Sequence, residues 1–133
     1  MHRLDRSYAG LRAEFAAREP GEATLTWYDP DQTVGFWIRR MALETVVHRI
    51  DAELAAGTPV TPVPDDLAAD GVDEILTVML AYETTASAAA SVAGAPRDVL
   101  LWLWGRQDGA GLTFGGDGAP VERLRWLLKE STQ

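Results

Sequence analysis

The stretch TVGFWIRRMALETVVHRIDAELAA, Thr33 to Ala56, constrains this chain more than any other. It is an unbroken helical pattern that stops at Gly57, with Pro59 just beyond. At about 100° per residue, Phe36, Leu43, Val47, Ile50 and Leu54 gather on one apolar face, while Arg39, Arg49 and Glu53 fall roughly opposite. An amphipathic helix of this length has to lay its apolar side on other elements. On the shoulder between the two faces lie Trp37, Met41, Glu44, His48 and Asp51, at steps of four, three, four and three that stack the side chains along the axis.

Glu44 and His48 therefore form an E-x-x-x-H pair one turn apart. That spacing lets a carboxylate oxygen and an imidazole nitrogen reach one divalent metal ion, zinc or another ion that accepts mixed N and O ligands. It equally lets the two side chains simply bond to each other.

The flanking segments read as further helices joined by short connectors. Leu4 to Arg18 places Leu4, Tyr8, Leu11 and Phe15 on one side and reads as a packing helix that ends before Glu19-Pro20-Gly21. His2 ahead of it reads as a frayed terminal residue rather than a ligand. Ala23 to Tyr28 is an extended connector whose Trp27 would cover the bundle, and Asp31 or Thr33 caps the long helix. Pro59, Pro62 and Pro64 stiffen the next turn. A third helical region starts near Asp65, breaks at Asp70-Gly71 and resumes with Asp73 and Glu74 in a new first turn before Ile75, Met79 and Tyr82.

From Thr84 to Gly94 the residues turn small and polar, which places a boundary between residues 1–83 and 84–133. Ala95 to Arg106 is apolar nearly all round and predicts a buried helix. Leu112 to Phe114 predicts a short strand, Gly115 to Gly118 a turn, and Ala119 to Lys129 a helix with Val121, Leu124, Leu127 and Leu128 inward. GLTFGGDG reads as a hairpin-like turn and not as a phosphate cradle, since neither a GxGxxG nor a P-loop is present.

Composition narrows the function. A chain of 133 residues, 47% hydrophobic and 24% charged, is globular in character. With 12 basic and 20 acidic residues the net charge is −8, which argues against sequence-independent binding of nucleic acid or of an anionic membrane. There is no cysteine, so any thiol chemistry must use a thiol brought by a cofactor. The longest apolar run, Val99 to Trp104, is too short to span a bilayer, and a cytoplasmic protein is expected.

The strings FWIRRMALETVVHRIDAE, PDDLAADGVDEIL and LLWLWGR, with a Gly-Gly-Asp near the end, resemble the actinobacterial mycothiol-dependent maleylpyruvate isomerase family from about Ala23 onward. The resemblance implies a mainly α (α+β) chain: a partial DinB-like helical bundle, then a shortened α/β domain with two short strands, one at Ser87 to Ala93, and two helices. In that family a divalent metal, usually zinc, is held by a Glu and a His of the last bundle helix and by a second His on an earlier one. Glu44 and His48 match the first two ligands, and Asp51 would orient the imidazole from behind. The third ligand has no counterpart, so a truncated or internally shortened member is expected.

In the family the metal holds mycothiol as thiolate, which adds to a cis double bond, permits rotation and leaves. Arg106, at the end of LLWLWGR, resembles a family arginine that pairs with substrate; it reads equally as a helix C-terminal cation facing water. Two functions follow. One is a metal-binding, mycothiol-dependent isomerase or thiol-transferase-like protein, with a small thiol and a small acidic or electrophilic compound as its partners. The other is an inactive remnant serving as a helical interaction module. With one bundle helix missing, the groove lined by Phe36, Leu43, Val47 and Ile50 would stay open, so the chain is expected either to self-associate through it or to remain partly molten.

Overall fold

The computed structural model describes residues 3–80 and 90–131, with the backbone alone for 129–131. Along the chain run α1 (Arg3–Ala16), α2 (Val34–Ala55), α3 (Asp65–Glu74), a π-helical segment (Ile75–Met79), β1 (Ala90–Ala93), α4 (Pro96–Leu103), β2 (Thr113–Gly116) and α5 (Gly118–Ser131). The chain is mainly helical with one small antiparallel sheet, the class expected from the sequence. It divides into two compact units, Met1–Thr45 and Val46–Gln133, and α2 contributes to both. The boundary read from composition, residues 83 and 84, lies outside the described residues, as do His2, Tyr82 and the first part of the expected strand, residues 87–89.

In the first unit α1 forms where its pattern predicts, yet none of its residues is buried. Leu4 and Tyr8 are 78% and 58% exposed, which corrects its reading as a packing helix. The stretch after it is also more than a connector. Ala23 bridges Thr33, the Thr24 amide donates to the Gln32 carbonyl at 3.0 Å, and the Gln32 amide group donates to Thr26 Oγ1 at 2.8 Å and to the Tyr28 carbonyl at 3.0 Å. The loop is closed by its own side chains. Trp27 meets Phe36 edge to face at 5.2 Å and Tyr28 stacks on the same ring at 5.9 Å. The Trp37 indole donates to the Leu25 carbonyl at 2.9 Å. Thr33 caps α2, its hydroxyl accepting from the Phe36 amide at 3.3 Å.

The second unit is built on the later half of α2. That helix ends in a paired C-cap: Gly57 at φ 66° donates to the Leu54 carbonyl and Thr58 to the Glu53 carbonyl. Glu53 also accepts from the Thr61 amide at 3.0 Å and hydroxyl at 2.7 Å, and from Arg49 at 3.1 Å, which ties the Pro-rich turn down. No break occurs at Asp70-Gly71. Instead α3 runs through it because Ala68, Gly71 and Glu74, spaced by three, form a buried stripe of mostly small residues on a helix that packs on α4. Asp73 and Glu74 thus lie at the end of a helix and not at the start of one, and Glu74 is 1% exposed. The hydrogen bonding then widens by one residue, the Leu80 amide reaching the Ile75 carbonyl at 2.9 Å.

The core gathers Val47 and Ile50 of α2, Ala68 of α3, Ile75, Leu100 to Trp104 of α4 and its cap, and Leu128 of α5. This corrects the expectation of an open bundle face: Phe36, Leu43, Val47 and Ile50 are all buried, at 5%, 3%, 7% and 2% exposure. β1 and β2 pair in the register Ala90 to Gly116 and Ala93 to Thr113. Gly115 and Gly116, expected in a turn, belong to the strand, and a side chain at Gly115 would place its Cβ 2.7 Å from Ser91 Oγ.

Candidate functional site

The site is assembled at the C-terminus of α4. That helix is buried on every side from Leu100 to Leu103, so it must stop abruptly to bring the chain back to solvent. Gly105, at φ 70°, makes the stop: its amide donates to the Trp102 carbonyl at 3.0 Å, and the Arg106 amide donates to Leu101 at 2.8 Å. A Cβ on Gly105 would meet nothing within 4 Å, so its need is conformational only. Gly105→Ala is expected to lower stability by about 1 kcal/mol, read from the urea midpoint, and to weaken the placement of Arg106.

Arg106 is aimed by this cap at α2. Its Nε donates to Asp51 Oδ1 at 2.7 Å and Nη2 donates to Oδ2 at 3.0 Å, a two-pronged pair between residues 55 apart in sequence, while Nη1 donates to the Trp104 carbonyl. The hydrogen bonds from Arg106 hold the Asp51 carboxyl below its usual range, and Asp51 holds the guanidinium above its own. His48, one turn earlier on α2, stands with Nδ1 3.8 Å from the same Oδ2, its side chain 72% exposed.

Because the folded Asp51 is the stronger acid, the pair contributes stability above about pH 4, the unfolded carboxyl value. That contribution is lost as pH falls through the lower, folded value. The Asp51 side chain is 36% exposed, so solvent screening limits the effect to about 1 kcal/mol or less. Acidification from about pH 5 to pH 3 should accordingly destabilise the native chain more than Asp51→Asn in urea titrations. Equal acid sensitivity would mean that the pair contributes nothing.

These residues line one groove of about 870 Å³ together with Trp102, Leu103, Trp104, Glu122, Arg125 and Trp126. Arg125 lies over the Trp102 ring at 5.5 Å, and Trp126 is 61% exposed. Of the residues singled out in the sequence, the fold therefore brings together His48, Asp51 and Arg106. Glu122, Arg125 and Trp126 were missed. The signal for them was the spacing of three and four on α5, whose outward face was read only as the reverse of its packing side.

Glu44, in the first unit, is paired with Arg40, which is itself buried at 8% exposure. A metal held as the family resemblance implies would need three donors. Among the described residues no group of three or more His, Asp or Glu side chains is placed to hold one. The Glu44 and Asp51 carboxylates are each engaged by a guanidinium, and the donor set does not fit the ion. No helix among the described residues is long and apolar enough to cross a membrane.

Residues 1–53 match the family model described as the mycothiol maleylpyruvate isomerase N-terminal domain. The match starts at residue 1 and so takes in α1, ahead of the strings from Ala23 onward that carry the resemblance. Neither a curated protein nor a solved structure matches the chain. Through α1 and nearly all of α2, the chain is thus similar to the N-terminal domain of the mycothiol-dependent maleylpyruvate isomerases.

Proposed function

We propose that the chain binds a small thiol of the mycothiol type in the groove between α2, α4 and α5, together with a small acidic or electrophilic compound, as a thiol-dependent isomerase or transferase-like protein. The observation that carries this is the groove itself. The exposed Trp126 indole, two guanidiniums and two carboxylates converge beside His48, over a floor that contains the buried Trp102 and Trp104, and an aromatic face flanked by a few polar groups is what hydroxylated, thiol-bearing ligands require. The family match over residues 1–53, which takes in His48 and Asp51, supports the thiol class.

In this reading Arg106, held by Asp51, forms part of the groove wall, and His48 places an exposed imidazole at its edge. A second reading, a binding or interaction module without turnover, is favoured by the engagement of Glu44 by Arg40.

Titration of the protein with mycothiol, followed by tryptophan fluorescence, should give saturable quenching within the range of about 1 μM to 1 mM common for enzyme substrates. Absence of saturable change defeats the thiol reading. Binding without conversion of a cis-unsaturated acid to its trans isomer, or of an electrophile to its thiol adduct, selects the module.

A further inference from the structure

Within the groove the two guanidiniums are not equivalent. Arg106 spends its Nε and Nη2 on Asp51 and its Nη1 on the Trp104 carbonyl. Arg125 lies over the Trp102 ring and has no carboxylate partner among the described residues. A cation held over an indole by the ring's own field is positioned without being neutralised and keeps N–H donors for a ligand. On the same wall of the groove the Glu122 carboxylate, one turn earlier on α5, repels a second anion and accepts hydrogen bonds from hydroxyl groups. Beside it Trp126 offers an exposed indole face suited to the C–H edges of a polyol or a short carbon chain.

We infer that Arg125, and not Arg106, receives the carboxylate of the acidic compound, and that this compound is a small hydroxylated carboxylate, its acid group on Arg125, its hydroxyls toward Glu122 and its carbon chain against Trp126. The inference deepens the proposed function and rests on that reading for the groove as the working site. Arg106 is then a positioning residue that ties the end of α4 to α2.

The test uses D-gluconate and its uncharged counterpart D-glucitol as probes, titrated against the whole chain by saturation-transfer NMR. The native protein should bind gluconate about tenfold more tightly than glucitol. Arg125→Ala should remove that difference, and Arg125→Lys should restore part of it, since an ammonium supplies the charge without the two-pronged geometry. Arg123→Ala, on the same helix but outside the groove and with the same change in net charge, should stay within about twofold of the native affinity. Arg125→Gln is the second variant if the alanine protein melts early.

Gluconate affinity unchanged in Arg125→Ala or Arg125→Gln overturns the inference, and so does an equal loss in Arg123→Ala, which would mean attraction by overall charge only. Mycothiol titrations on the same proteins separate the two levels. Native mycothiol binding with no role for Arg125 leaves the proposed function standing without the inference. Loss of gluconate binding in the Arg125 variants, in a chain that does not bind mycothiol, upholds the carboxylate site and removes the thiol reading.

Discussion

Replacing Trp102 by alanine should cost about 3–5 kcal/mol, a large part of the roughly 5–15 kcal/mol that holds a domain together. The indole is 1% exposed and is the largest fully buried side chain among the described residues. It meets Phe114 of β2 edge to face at 5.4 Å and carries Arg125 of α5 over its ring at 5.5 Å. Truncation therefore opens a cavity and also disconnects α4 from both the sheet and the last helix. Trp102→Phe keeps most of the apolar volume and the edge contact, so it should lose markedly less. Urea unfolding followed by far-ultraviolet circular dichroism reads both values. An alanine variant with the native midpoint would mean that the second unit is not organised around α4.

The helical framework was legible because α2 and α5 carry apolar residues at helical spacing and α4 is apolar nearly all round, signals contained within a few residues. Thr33 at the start of α2 and Gly57 at its end are local chemistry as well, and both act where they stand in the sequence. Gly71 was misread for the opposite reason. A glycine inside an apolar pattern marks either a break or a close approach, and only the presence of α4 against α3 decides between them. The covered face of α2 was misread in the same way, since Val47 and Ile50 are covered by residues from Val63 to Leu128 whose arrival no local pattern announces.

The site shows the same division. Asp51 and His48 share a helix edge, so their proximity follows from spacing, whereas the helix expected over Ala95 to Arg106 stops at Leu103, because Gly105 turns the chain in the left-handed region ahead of Arg106. That Arg106 would spend its guanidinium on Asp51 could not be read, because the pair closes across 55 residues of sequence. The pairing of Glu44 with Arg40 was available from the i,i+4 spacing and competes directly with a metal for the same carboxylate.

Ile50 supplies the second large effect and a way to separate stability from site geometry. It is 2% exposed, one residue before Asp51 and two after His48, so its seat in the core contributes to the rotation of α2 about its axis and with it to the direction in which both site residues point. Ile50→Ala should cost about 2–5 kcal/mol, and Ile50→Val, which removes one methylene, about 0.5–1.5 kcal/mol. Since that rotation is set by the whole apolar stripe, including Val46 and Val47, the valine variant should keep the Asp51 to Arg106 pair. Asp51→Asn in the Ile50→Val background should then lower stability by the same amount as in the native chain, within about 0.5 kcal/mol. A clear shortfall would show that the pair forms only when Ile50 is fully seated, and that packing under the helix, rather than the cap at Gly105, sets the geometry of the groove.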